Sequence, residues 1–242
     1  HLTCSGASGG WTLNSAFVAD DFERASLGGN WTSREGTPAI LGSSDFGSSV
    51  SPSTATYCVQ TFADGQYAQG QLSGAPVTND EWQVCVRMTN TGNLDGYCYT
   101  TDGSTFQEIF RVDNTGHGAT IATSGAPYPT AGDTMRLEVE GTELRAYLNG
   151  KLVMSGTSGL YASGYPALRV WRGGGAAPGT TFENFGAGNL VAINGDFTVS
   201  AGTLDLGTSR INVFNSIDFT GGTITAGTSS LTMGAGNETI VG

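Results

Sequence analysis

Leu144-Arg-Ala-Tyr-Leu-Asn-Gly-Lys-Leu-Val-Met154 carries the strongest local fold signal in the chain. Asn149-Gly150 offers two adjacent residues that tolerate positive φ, as the two-residue type I′ turn of a β-hairpin requires. The flanking segments, 143–148 and 151–155, therefore read as antiparallel strands. Immediately upstream, Met135, Leu137 and Val139 alternate with Arg136, Glu138 and Glu140. That period of two predicts a strand over 134–140 with one apolar face and one solvated face.

The same texture extends outward from this hairpin. Between about residues 15 and 189, segments of five to eight residues rich in β-branched and aromatic side chains are separated by Gly, Asn, Asp and Ser clusters. Further strands are expected at 16–22, 66–72, 81–88, 96–100, 106–112, 119–123, 167–172 and 181–186. Charged residues are only 13% of the chain and 38 residues are Gly, a balance that favours turns and strands over long helices. The fold class expected is all-β, an antiparallel β-sandwich.

In Trp82-Gln-Val-Cys-Val-Arg-Met88, the residues Trp82, Val84, Val86 and Met88 share one face and Cys85 lies on the other. With 96–100 as the returning strand, a symmetric register sets Cys98 opposite Cys85. A cross-strand disulfide and two free thiols both fit that placement. Cys4 and Cys58 either pair with each other or remain free. With only His1 and His117 and no Cys-x-x-Cys spacing, the chain has no zinc pattern.

After residue 189 the pattern changes. Gly202-Thr-Leu-Asp-Leu-Gly-Thr-Ser-Arg-Ile-Asn-Val213 matches Gly222-Thr-Ile-Thr-Ala-Gly-Thr-Ser-Ser-Leu-Thr-Met233 at a shift of 222 − 202 = 20 residues. Short strands with a fixed period and inward apolar residues suggest a short β-solenoid of about 20 residues per rung. Leu204 would then stack on Ile224, Ile211 on Leu231, and Val213 on Met233. These six residues would form the assembly core, because rungs gain their stability by stacking. The expected organisation is an extension over 1–14, a sandwich over 15–189 and a repeat stem over 190–242.

The formal net charge is −11 and the single lysine is Lys151, so no basic stripe for nucleic acid can form. No apolar run approaches the roughly 18–20 residues of a membrane span. The sequence begins His-Leu-Thr-Cys, without a signal-peptide pattern, and a soluble, processed chain is expected.

Asp20-Asp-Phe-Glu-Arg24 with Gly29-Asn-Trp31, the run from Asp133 to Val153, and Phe182-Glu-Asn-Phe-Gly-Ala187 span about 170 residues. On these residues the first module resembles the laminin-G-like/concanavalin-like jelly roll of bacterial surface proteins and bacteriophage structural proteins. The stem looks like the solenoid stalks of adhesins and tail proteins. The resemblance implies that the first and last strands of the sandwich are neighbours. Since related sandwiches often hold calcium through oxygen ligands, Asp20, Asp21, Glu183 and Asn184 are the candidate site. Glycosidases on such folds need two carboxylates about 5 Å apart. Here only Glu138 and Glu140, with Glu143 past the turn, have suitable spacing, and Val139 replaces the acid that usually lies between them. His117, in Asp113-Asn-Thr-Gly-His-Gly118, reads as a hairpin-loop residue with no nucleophile elbow.

No catalytic residues are assigned. Tyr128, Tyr161 and Tyr165 are the candidate glycan-stacking rings, because sugar C–H faces pack on aromatic faces. The leading expectation is a non-enzymatic structural or adhesive module on a virion or bacterial surface, such as a phage decoration or fibre protein. Its partners would be further copies or neighbouring subunits, bound through residues 190–242. The alternative is a carbohydrate-binding module of a secreted protein with surface glycans as partners, and a glycoside hydrolase stands behind it. Either way the location expected is extracellular or on a virion.

Overall fold

The computed structural model describes residues 2–4, 10–12, 17–42, 45–48, 53–58, 60, 62, 64–74, 80–171, 181–193, 196–206, 210–213, 216–225, 230–233 and 239–241. They form two compact units, one of residues 18–187 and one of residues 1–17 together with 188–242. Every assigned element is a strand. The fold is an all-β, antiparallel jelly-roll sandwich carrying a smaller unit of short strands.

One sheet of the sandwich has seven strands, in the order Gly116–Ser124, Gln107–Asp113, Gly96–Thr101, Glu81–Met88, Tyr165–Trp171, Ser53–Cys58 and Trp31–Glu35. The other runs Lys151–Thr157, Glu143–Leu148, Thr134–Glu140, Gln66–Ser73 and Thr181–Ile193. Phe17–Asp20 and Asp45–Ser48 also pair with the last of these, so the first strand does lie beside the closing one. The Glu143–Leu148 hairpin turns on Asn149 (φ 52°) and Gly150 (φ 79°), as Asn-Gly demands.

The two inner faces meet in one core. Trp82, Val84, Val86, Leu168 and Val170 come from the seven-stranded sheet, and Met135, Leu137, Val139, Ala68 and Phe182 face them from the other. Trp82 is fully buried, and its indole Nε1 donates to the Thr181 carbonyl at 2.8 Å, so burial leaves no orphan donor. Gly70 makes room for an aromatic neighbour, because a Cβ there would lie 2.7 Å from the Phe182 ring. Phe22, Trp31, Phe46 and Phe185 fill one end with tilted and edge-on ring contacts. The strands at 31–35, 38–41, 45–48 and 53–58 were not expected from the Ser/Gly-rich sequence.

Alternation along Glu81–Met88 stops one residue short of the strand end. Arg87 has φ 53°, and Met88 joins Cys85 on the outer side rather than following Val86 into the core. The Arg87 guanidinium is buried and donates to the carbonyls of Asp64, Gly141 and Tyr161. Those bonds hold the bend that turns Met88 over. Cys85 faces Cys98 in register and the two form a disulfide, with Cα atoms 4.1 Å apart. The side chains of Cys4 and Cys58 lie outside the described residues.

In the smaller unit the strands pair parallel. Residues 190–193 pair with 210–213 and these with 230–233, 203–205 pair with 223–225, and Phe197 and Thr198 pair with Ile217 and Asp218. Each is a step of 20 residues, and Leu204 is in register with Ile224, Ile211 with Leu231, and Val213 with Met233. Phe197, Val199, Leu204, Leu206, Ile211, Val213 and Ile217 form a buried cluster against which Ile224 and Leu231 pack. The Met233 side chain is outside the described residues. Residues 1–14, expected as an extension, instead contribute strands: Leu2–Cys4 pairs with Phe197–Val199, and Gly10–Thr12 with Thr203–Asp205.

The disulfide closes a sequence separation of 13, and constraining so short a loop in the unfolded chain is worth about 3 kcal/mol. Non-reducing peptide mapping should recover the Cys85–Cys98 link. The double substitution Cys85→Ala/Cys98→Ala should lower the urea-unfolding free energy by about that amount without changing the far-ultraviolet spectrum.

Candidate functional site

The outer face of the seven-stranded sheet is organised by strand register. Opposite the core residues of Glu81–Met88 lie Glu81, Gln83 and Cys85, and opposite those of Tyr165–Trp171 lie Ala167, Arg169 and Trp171. Antiparallel pairing sets Trp171 beside Glu81, Arg169 beside Gln83 and Ala167 beside Cys85. The next two strands extend these rows, with Thr100 beside Gln83 and Glu108 beside Thr100, and with Cys98 beside Cys85 and Phe110 beside Cys98. One transverse row is thus apolar and the neighbouring one polar. The apolar row joins Met88, Leu94 and Val112 in a second buried cluster. The polar row opens into a groove of ≈ 430 Å³ lined by Glu35, Glu81, Gln83, Phe110, Thr115, Gly116, His117, Arg169 and Trp171.

A continuous hydrogen-bond chain holds the groove floor. Arg169, only 5% exposed, donates from Nε to Glu35 Oε2 at 2.9 Å, from Nη1 to Gln83 Oε1 at 3.0 Å and from Nη2 to the Thr115 carbonyl at 2.9 Å. The Gln83 amide donates in turn to Glu81 Oε2, which also accepts from the Thr100 hydroxyl, both at 2.8 Å. Such a network fixes side-chain positions before any ligand arrives, because every member is held by the next. At the edge, Glu108 accepts from Thr120 at 2.9 Å and contacts His117 Nε2. The His117 ring stacks on Phe110 with centroids 4.4 Å apart and planes 4° apart. His117 belongs to the Gly116–Ser124 strand and is not a loop residue, because the turn is confined to Asn114-Thr115.

Chemically, the groove offers a half-buried indole face at Trp171, the exposed His117 ring stacked over the fully buried Phe110, and carboxylates beside them. That combination suits a flat ligand rich in hydroxyl groups, which can stack its apolar face and donate to the oxygens.

The residues singled out from the sequence lie elsewhere. Glu138 is 3% exposed, not on a solvated face. Arg136 Nε lies 3.1 Å from its Oε1 and Arg145 Nε 3.6 Å from its Oε2. Arg145 also pairs with Glu140 at 2.9 Å and Glu143 at 3.1 Å. Arg136 lies over the Tyr147 ring, 4.3 Å from its centroid, so the long side chains themselves cover the carboxylate. Burial, with Glu138 close by, pushes the Tyr147 phenol up to about 12.

Three of the four expected calcium ligands, Asp20, Asp21 and Asn184, are bonded to protein groups. Both Asp20 oxygens accept from Arg24, and Trp31 Nε1 and the Phe22 amide donate to the same carboxylate. Burial alone would raise this carboxyl, but the bonds from Arg24, Trp31 and Phe22 outweigh it and hold it below the usual range. Asp21 accepts from the Glu23 amide and Asn184 donates to Gln71. Among the described residues no three His, Cys, Asp or Glu side chains are grouped to hold a metal ion.

None of the three candidate tyrosines lines the Trp171 groove. Tyr161 donates its hydroxyl to Asp113 at 2.8 Å and packs edge-on to Tyr97. Tyr165 accepts from Asn90 at 2.7 Å beside a separate hollow of ≈ 300 Å³, and Tyr128 is half-buried. The groove is hard to read from the sequence because most of its residues are the polar side of strands whose apolar side carries the period-two signal. Arg169, alone among apolar neighbours in Ala167–Trp171, was the visible clue.

No family model matches the chain, and no curated protein matches it. Solved structures do. The carbohydrate-binding module CBM66 from Bacillus subtilis superposes with a TM-score of 0.52 at 17% identity, over 64% of this chain and 91% of that one. A prokaryotic β-1,3-1,4-glucanase (lichenase) from a mouse hindgut metagenome gives 0.53 at 11%, over 72% and 98%. A protein of unknown function with a galectin-like fold from Bacillus subtilis gives 0.55 at 10%, over 71% and 94%. At these identities the likeness shows the fold, the concanavalin- and galectin-like jelly roll.

Thr115 sits at φ 66°, a region costly for a β-branched residue, with its carbonyl fixed on Arg169. Its strain is thus built into the groove wall. Thr115→Gly should raise the unfolding free energy by about 1 kcal/mol, measured in urea, because glycine adopts this backbone freely.

Proposed function

We propose that the sandwich is a non-enzymatic carbohydrate-binding module of an extracellular protein and that glycans lie in the Trp171 groove. The observation carrying this reading is the in-register polar row Arg169–Gln83–Thr100–Glu108 set beside the half-buried Trp171 indole and the His117 ring in an open groove. The carbohydrate-binding module and the glucanase among the similar structures support a sugar ligand. A disulfide supports an oxidising compartment. The groove carboxylates are engaged by neighbours, Glu35 by Arg169, Glu81 by Gln83 and Thr100, and Glu108 by His117 and Thr120, which favours holding a ligand over acid–base chemistry.

The smaller unit supports a second element of the reading, a β-solenoid stem that presents the module on a surface or virion. The observation favouring it is the run of parallel pairings at steps of 20 residues over a shared apolar cluster. Sedimentation of the whole chain tests its part in assembly. Association that Ile224→Asp abolishes, with the sandwich still folded, supports the stem, and a strictly monomeric chain at all concentrations removes it.

For the glycan site, binding to a broad polysaccharide array followed by calorimetry is the direct measurement. Trp171→Ala should weaken the best-bound glycan about tenfold, equivalent to about 1.4 kcal/mol, with an unchanged melting temperature. A protein that binds nothing on the array, or a Trp171→Ala variant that binds as the wild type does, refutes the assignment.

A further inference from the structure

The groove also has a charge pattern, and this bears on which glycans it would accept; the inference rests on the glycan-binding reading above. Arg169 is the guanidinium among its described lining residues. It is 5% exposed, and its donors face Glu35, Gln83 and the Thr115 carbonyl, so its charge is directed into the protein wall. Among the described residues no lysine or arginine is bonded to Glu81 or Glu108. Glu81 is held by two neutral donors through Oε2, which leaves Oε1 to accept from a ligand hydroxyl. Glu108 accepts from the Thr120 hydroxyl and contacts His117 Nε2. Among the described lining residues Glu35 is matched by Arg169, Glu81 is matched by no Lys or Arg, and Glu108 adds a further carboxylate at the groove edge.

We infer that the groove takes uncharged, hydroxyl-rich glycans and rejects those bearing carboxylate or sulfate groups. A sugar hydroxyl donates to a carboxylate and is stabilised by its charge. An acidic sugar would bring a like charge to Glu81 and Glu108, with no unpaired Lys or Arg among the described lining residues to meet it. The net charge of −11 on the whole chain adds a field of the same sign at longer range. The aromatic surfaces do not discriminate in this way, since the rings of neutral and acidic sugars stack alike.

The test uses the whole chain and a matched pair: the polysaccharide best bound on the array, and the same polymer with its primary hydroxyls oxidised to carboxylates. The oxidised form should bind at least about tenfold more weakly at low salt. The gap should narrow in 0.5 M salt, where the screening length falls to about 4 Å. Glu81→Gln/Glu108→Gln should narrow it as well. The salt series needs no variant, so a misfolded double substitution does not block the result. A best-bound glycan that is itself acidic, or a gap insensitive to salt, overturns the selectivity while leaving the glycan site standing. Binding of neither form nor any other glycan overturns the site itself.

Discussion

The strand Glu81–Met88 is paired on both sides, and the rest of the sandwich depends on that pairing holding its register. A β-strand presents successive residues to opposite faces, so one register assigns Trp82, Val84 and Val86 to the core and Glu81, Gln83 and Cys85 to the outer side. A slip of one residue would exchange the sets. The disulfide, the apolar row around it and the polar row beside it are read from the same register. Core and groove are therefore two sides of a single constraint.

This explains which parts were legible in the sequence. Local signals gave the Asn149-Gly150 hairpin, the strand at 134–140 and the placement of Cys85 opposite Cys98, because each needs only a turn residue or a period of two. The strands at 31–58 escaped because Gly and Ser dilute the alternation there. The N-terminal strands escaped for another reason: their partners lie about 190 residues away, and parallel pairing leaves no turn to announce it. The groove required Trp171, Arg169, Gln83, Thr100 and Glu108 to be aligned across four strands, which spacing within any one strand cannot reveal. Glu138 was legible as a strand residue and illegible as a buried one, since its cover comes from Arg136, Arg145 and Tyr147.

Both sheets of the sandwich place ion pairs on their outer faces. On one, Arg169 and Glu35 anchor the polar row; on the other, Arg145 gathers Glu138, Glu140 and Glu143. Buried pairs of this kind add little net stability, because desolvation offsets much of their attraction. Their effect is geometric. A guanidinium that must satisfy several oxygens at once holds those oxygens in fixed relation, and in the groove the fixed groups are Glu35, Gln83 and the strained turn at Thr115.

The smaller unit is discontinuous: the chain pairs Gly10–Thr12 with residues 203–205, departs to build the sandwich, and returns to pair residues 190–193 with 210–213. Topologically the sandwich is a guest inserted into a host. Its two ends are held by the host's ladders, which act on it as a clasp acts on a loop of string. While the clasp is closed, the unfolded guest has fewer conformations open to it, by the same loop-closure entropy that a covalent crosslink exploits. The host thereby stabilises the guest through connectivity alone, and fraying of the Leu2–Cys4 and Gly10–Thr12 pairings would loosen a domain whose own contacts were untouched.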